Sequence, residues 1–281
     1  MTEPILSVRD LVVEYRARGM FAKAHRALRG VSLDIGPHRT LGLVGESGSG
    51  KTTIGRAVLG LAPVTEGEIV FNGKRIDKLG RQKRRPLSKD LQVVFQDPYT
   101  SLNPALEVGD ILAEPLMVQG RSKVAARKRI AMLLDQVGLP QDAAGRLPSE
   151  FSGGQRQRVA IARALALEPK LIVCDEAVSA LDLTTQARVL DLLLEIQRDT
   201  GVSYLFISHD LDVVRHVSHE VAVLYRGEIV EYGNAQQVTQ SPSHSYTQRL
   251  LLASPVPNPH EQRVRREARH KFLQNHSIDN L

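Results

Sequence analysis

Cysteine is nearly absent. Cys174 stands alone in 281 residues, which excludes an intrachain disulfide and any thiolate metal cage supplied by this chain by itself. It closes an apolar run at 171–174, where a small buried thiol is expected rather than a reactive one. Tryptophan is missing too, and no uninterrupted apolar run nears the roughly 18 to 20 residues that cross a bilayer. The longest, such as 202–207, are strand-sized. The first ten residues carry Glu3 and Pro4 and no basic segment ahead of an apolar one, so a secretory signal is not expected and a cytoplasmic setting is. A formal charge of +6 suits a nucleotide, an anionic lipid surface or nucleic acid equally and decides nothing.

What is present is the balance of an ordinary globular protein, 42% hydrophobic and 24% charged. The length serves one large domain, or a main domain with a small appendage. Extended patterns occupy 5–15, 31–35, 40–44, 68–71 and 91–95, with Gly and Asn turn signals between them. From 107 to about 167 the period turns helical: Val108, Ile111, Leu112 and Leu116 suit one helix, and Ile130, Leu133, Leu134 and Val137 another. Strands and helices then alternate, with strands at 170–175, 202–208, 221–225 and 229–232 and helices at 184–198 and 211–217. That alternation predicts a parallel sheet covered on both faces, with ligand chemistry at the carboxyl ends of its strands. From 241 onward come a short helix, a Pro-rich turn at 255–259 and a polar tail. No internal repeat or low-complexity tract is evident.

After the apolar strand 41–44 come Gly45, Glu46, Ser47, Gly48, Ser49, Gly50, Lys51, Thr52 and Thr53, a match to G-x-x-x-x-G-K-[ST] that opens a helix. The glycines let the backbone curl so that successive N–H groups face an anion, and the helix end adds its dipole. Lys51 would neutralise the β and γ phosphates of ATP, and Thr52 would offer its hydroxyl to Mg²⁺. Far along the chain the run 171–174 ends in Asp175 and Glu176. A carboxylate leaving a buried strand beside the phosphate loop can hold the metal's water shell, and the next can orient the attacking water. Either motif alone could be an ordinary turn; together they point to a nucleotide hydrolase.

The segment Glu150-Phe151-Ser152-Gly153-Gly154-Gln155-Arg156-Gln157-Arg158 resembles the signature of ATP-binding cassette (ABC) proteins. The resemblance runs from about 5 to 259. It implies an α/β P-loop NTPase fold of the ABC nucleotide-binding type, with an antiparallel β subdomain and a helical subdomain inserted at about 97–167. The nucleotide-binding domain would span 1–240, followed by a C-terminal extension at 241–281. In that family Ser152, Gly153, Gly154 and Gln155 meet the γ-phosphate held by the opposite subunit, which suits a Ser-capped helix start. Gln96 resembles the glutamine that touches metal and water. Asp182, in Ser179-Ala180-Leu181-Asp182, resembles the loop that crosses the dimer interface, and His209 the histidine that contacts the γ-phosphate. Tyr15 resembles the aromatic that stacks on adenine, with a core tyrosine as its rival. Catalysis would thus fall to Glu176, His209, Lys51 and Gln96, and the metal to Thr52, Gln96 and Asp175. Two positions depart from the family: Ala177 replaces the usual proline, so the loop after Glu176 is expected to be less rigid, and Phe151 replaces leucine. His216 and His219 have H-x-x-H spacing without a third ligand, and are expected on a helix and its exit rather than on a metal.

Within the family the chain resembles the branch of oligopeptide and dipeptide importers, which also serves nickel and glutathione and includes a protein of phosphonate breakdown. The marks are Phe151, the run 179–190, and His244-Ser245-Tyr246-Thr247 before Leu250-Leu251-Leu252, where the branch has His-Pro-Tyr-Thr. The branch implies a second, homologous or identical ATPase subunit, two permeases, an external solute-binding protein, and a peripheral position on the cytoplasmic face of the inner membrane. Some relatives carry a cysteine cluster for an iron-sulfur centre; none is expected here. Basic runs at 81–85 and 263–271 could approach anionic lipid or a permease loop, although a solvated face is their commoner meaning. A soluble ABC ATPase working on DNA or ribosomes would carry long coiled-coil insertions or a second cassette, so no nucleic-acid partner is expected. A module that only holds ATP would not need Glu176 and His209.

Overall fold

The computed structural model describes residues 3–15, 24–97, 101–253 and 263. The first strands are amphipathic. β1 (Leu6–Tyr15) buries Leu6, Val8, Leu11 and Val13. Its pairing with β2 (His25–Ile35) slips between Val8 and Leu11, where Asp10 takes a left-handed φ of 46°. That bulge bends the strand, as an extra residue on one side of a ladder does. β4 (Glu66–Phe71) pairs with the other edge of β1 and β5 (Lys74–Arg75) with β4, giving an antiparallel sheet in the order β2-β1-β4-β5.

The second sheet has six strands. β3 (Thr40–Val44) is buried along its length and lies parallel between β8 (Ser203–Ser208) and β9 (Glu220–Tyr225). β7 (Leu171–Asp175) and β6 (Leu91–Val94) continue the parallel run beyond β8, while β10 (Glu228–Asn234) closes the other edge antiparallel to β9. Alternate residues of each central strand feed two different cores, as the period of two requires. Leu41, Leu43, Val173, Leu205, Ile207, Ala222 and Leu224 join the first sheet and α1 (Lys51–Leu59) through Ile54, Ala57 and Val58. Val44, Ile172, Cys174, Tyr204, Phe206, Val221 and Val223 face the helical side. Burial pushes the Cys174 thiol up to about 12, so it is an inert core group.

Between the neighbouring strands β6 and β7 the chain leaves the sheet for α3 (Val108–Val118), α4 (Lys123–Gln136) and α5 (Gly153–Leu165). Val108, Ile111, Leu112, Leu116, Ile130, Leu133, Leu134 and Val137 are all buried, so the helical period read from the sequence marks the faces that pack. Guanidinium groups tie the block together: Arg158 donates to the carbonyl of Val137 and Arg129 to that of Leu165. After β7 follow α6 (Leu183–Thr200) and α7 (Leu211–Val217). Finally α8 (Ala235–Gln240) and α9 (Ser245–Ala253) fold back against the large sheet.

The structure differs from the sequence reading in its short and edge elements. β2 begins six residues earlier than the pattern suggests, because its outer half is exposed and carries His25, Arg26 and Arg29. β5, α8 and α2 (Arg81–Arg84) were not expected at all. The basic run at 81–85 is mostly solvated, yet Arg84 turns inward and donates to the carbonyls of Ile76 and Val58. Residues 98–100 of the inserted block, the Pro-rich turn at 255–259 and, except for Arg263, the basic run at 263–271 lie outside the described residues.

Candidate functional site

β3 ends at Val44, and the chain turns over the top of the sheet before α1 starts at Lys51. Two glycines make that turn possible. A Cβ on Gly45 would lie 2.2 Å from the carbonyl oxygen of Leu224, and one on Gly50, at φ 111°, would meet the carbonyl of Ala27 at 2.9 Å. Any side chain at either point would push the loop off β9 or β2. The first turn of α1 has no acidic residue and no side-chain cap, so its free N–H groups and dipole point into the space under the loop.

Lys51 is buried, and its ammonium donates to the carbonyl oxygens of Gly45 at 2.7 Å and Glu46 at 2.9 Å. Burial pulls its pKa down, against the opposing pull of Glu176, Asp175 and Glu46. Next to it the Thr52 hydroxyl donates to Asp175 Oδ1 at 3.0 Å. For Asp175 burial again dominates and raises the pKa, with the Thr52 bond opposing and Glu176 adding to the rise. Desolvation thus governs both members of this pair, which marks a site able to hold charge that a ligand would complete.

Glu176 follows β7 with a left-handed φ of 50°, a strained state for a residue with a side chain. It is held there by its N–H on the carbonyl of Ile207, and by Ser179, whose N–H and hydroxyl both donate to the Glu176 carbonyl. Ala177 is buried within this closed turn. The bend aims Glu176 across the strand ends to His209, at the end of β8, with 3.4 Å between Oε2 and Nδ1. Ser208, His209 and Asp210 do not form a relay: Ser208 Oγ accepts from the Asp210 N–H, and the Asp210 carboxylate caps α7.

A cavity of about 260 Å³ opens beside the loop, lined by Tyr15, His25, Ala27, Ser47, Gly48, Gly50, Lys51, Thr52, Thr53 and Glu176. Tyr15, 36% exposed at the end of β1, is therefore a rim residue and not a core one. His25 and Ala27 were missed by sequence reasoning, since nothing local marks the exposed start of β2 as a wall of this cavity. Gln96 lies two residues beyond the Val94–Cys174 pair, exposed, at the same end of the sheet as Asp175.

Ser152, Gly153, Gly154, Gln155 and Asp182 are not part of this cavity. Ser152 caps α5 through a reciprocal pair: its Oγ accepts from the Gln155 N–H, and Gln155 Oε1 accepts from the Ser152 N–H. Asp182 caps α6 by accepting from the Thr185 N–H, and Thr185, through its hydroxyl first and its N–H second, holds the carboxyl below its ordinary pKa. Gly154 lets the two helices meet, because a Cβ there would fall 2.2 Å from Thr185 Cγ2. The start of α5 is left as a second, separate cluster of N–H donors. His216 bonds Asp191, whereas His219 Nδ1 accepts from the Thr40 N–H; the two histidines serve different elements.

A sequence model described as ABC transporter matches residues 28–179. The glutathione import ATP-binding protein GsiA of Salmonella paratyphi A is 52% identical over 269 residues, which is 94% of this chain and 43% of that protein. The chain thus spans about two fifths of the length of the curated relatives it matches. Among solved structures, cbiO1 from Clostridium perfringens, part of the ABC transporter complex cbiONQ, superposes with a TM-score of 0.77 at 26% identity, over 95% of this chain and 99% of that one. The ATP-binding cassette MJ0796, dimeric in a post-hydrolysis state with ADP and Pi, gives 0.73 at 29% identity, over 82% and 98%.

Proposed function

The chain belongs to the ABC transporter family, and from that premise we propose that it is the ATP-hydrolysing subunit of an importer, with the loop at 45–53 as its phosphate site. The observation that carries this reading is the meeting of Lys51, Thr52, Asp175, Glu176 and His209 at one end of the large sheet. Thr52 Oγ1 and Asp175 Oδ1, 3.0 Å apart, are hard oxygen donors of the kind Mg²⁺ takes. Bound there, the ion would neutralise charge on the β and γ phosphates.

The chain's own groups do the rest. Lys51 exchanges its two carbonyl partners for phosphate oxygens, and the N–H groups at 48–53 complete the cradle. Tyr15 stacks on adenine at the rim. Glu176 accepts a hydrogen bond from the attacking water and lines it up with the γ-phosphate, while His209 donates to an oxygen of the transferred group and Gln96 joins the metal's water shell. Ser152 to Gln155 of a second cassette, identical or homologous, close over the γ-phosphate from the far side, with Asp182 at the same interface. Hydrolysis removes that contact and the pair opens. The helical block carries the motion to two permeases on the cytoplasmic face of the membrane, which take solute from an external binding protein.

The glutathione in the relatives' names is itself a short peptide, so it falls beside oligopeptides and dipeptides in the class of solute proposed here. The experiment is phosphate release from ATP with Mg²⁺. Wild type turns over and Lys51→Ala falls to background; equal rates from the two would refute the assignment of the loop.

A further inference from the structure

The His244-Ser245-Tyr246-Thr247 motif takes no part in the mechanism above, yet the fold brings it to the phosphate loop. Glu231 of β10 accepts from the N–H and hydroxyl of Ser243 and from the N–H of His244, which pins the entry to α9. Tyr246 is then buried to 4% exposure, its ring 4.2 Å from that of Tyr225 at the end of β9. Its hydroxyl accepts from the backbone N–H of Glu46 at 2.9 Å. One turn on, Arg249 lies over both rings and reaches the Glu46 carboxylate at 3.7 Å. The peptide groups around Glu46 are therefore gripped on two sides. The N–H is held by Tyr246, and the carbonyl receives the Lys51 ammonium.

We infer that Tyr246 is a positioning residue of the nucleotide site, holding the Glu46 backbone, and with it the phosphate loop, in place when Lys51 leaves the Glu46 carbonyl for the phosphates. The inference rests on the proposed function and deepens it: the extension after residue 240 forms part of the site's frame. A second cavity of about 310 Å³ shares Ser47 and Gly48 with the nucleotide cavity and is lined further by Glu46, Ser49, Tyr225, Arg226 and Arg249. Without the Tyr246 bond the loop has room to sag into it. The grip costs the phosphate nothing, because the Glu46 N–H precedes the donors at 48–53.

Tyr246→Phe removes one hydroxyl and keeps the stack and the burial. Calorimetric titration of the full chain with ATP and Mg²⁺ should show a dissociation constant about fivefold higher, because binding must then re-order a loop that the hydroxyl holds ready in wild type, at a cost of the order of one hydrogen bond. In turnover, KM should rise by the same factor with kcat within about twofold, and the melting temperature should stay within about 2 °C. Wild-type affinity in Tyr246→Phe, with or without a lower melting point, overturns the inference and leaves the loop assignment intact. A wild type whose ATP affinity is unchanged by Lys51→Ala overturns the proposed function, and this inference with it.

Discussion

Asp175 shows the conflict a site residue faces. Its carboxylate is half-buried beside Glu176, and burial raises its pKa above the ordinary value of 3.8. The sign follows directly. A carboxyl that holds its proton to higher pH when folded than when unfolded favours folding in acid, and loses that advantage as pH rises from the ordinary aspartate range through the raised value. At neutral pH the charged Asp175 is a standing cost. Asp175→Asn keeps an oxygen for the Thr52 hydroxyl and removes the charge, so it should raise the melting temperature by a few degrees at pH 7 while abolishing ATP turnover. Below about pH 4, where the native carboxyl is protonated, the two proteins should melt together. Calorimetry across pH checks this; an asparagine variant less stable than wild type at pH 7 would show that the carboxylate earns more from Lys51 and Thr52 than burial takes.

At the scale of elements, the start of α5 and the start of α6 meet at a contact that only glycine permits. In a helix Ala outranks Gly by up to about 1 kcal/mol. Here the new methyl would lie 2.2 Å from Thr185 Cγ2, and a β-branched side chain has no free rotamer to retreat into. Overpacking of this kind costs about 1 to 3 kcal/mol. Gly154→Ala should therefore lower the melting temperature by a few degrees, and Thr185→Ser, which removes the offending methyl but not the N–H that bonds Asp182, should restore most of it. Equal melting points for Gly154→Ala with and without that second change would remove the steric account. The example also marks what the sequence makes legible. The glycines of 45–50, the strands of the large sheet and the buried faces of α3 and α4 announce themselves through local spacing, and each is where the pattern puts it. The contact of Gly154 with Thr185 has no such local signature. Nor has the Tyr246 bond to Glu46, which joins residues 200 positions apart, or the role of His25 and Ala27 as cavity walls. α2 and α8 lack a signature as well, because short polar helices carry little hydrophobic period.

At the scale of the molecule, the two donor clusters pose a question of assembly. The cap of α5 does not line the cavity beside the loop at 45–53, so in the proposed mechanism a single γ-phosphate bridges the two only if the second cluster comes from another molecule; the similar MJ0796 cassette has been solved as a dimer. Shifting such a pair from mostly apart to mostly joined takes about 5.5 kcal/mol of differential binding, which two γ-phosphates with several charged hydrogen bonds each can supply. Glu176→Gln keeps the other groups proposed to bind ATP and removes the carboxylate proposed to orient water, so ATP should stay whole and the pair closed. Sedimentation of this variant should give twice the monomer mass with ATP and the monomer with ADP. Adding Gly153→Asp places a negative charge at the α5 cap, where under the proposed arrangement it would repel the partner's γ-phosphate without touching the chain's own loop. The double variant should bind ATP with unchanged affinity and remain a monomer. If it dimerises as fully as Glu176→Gln, the α5 cap is not the surface that receives the second phosphate, and the two-chain site has to be abandoned.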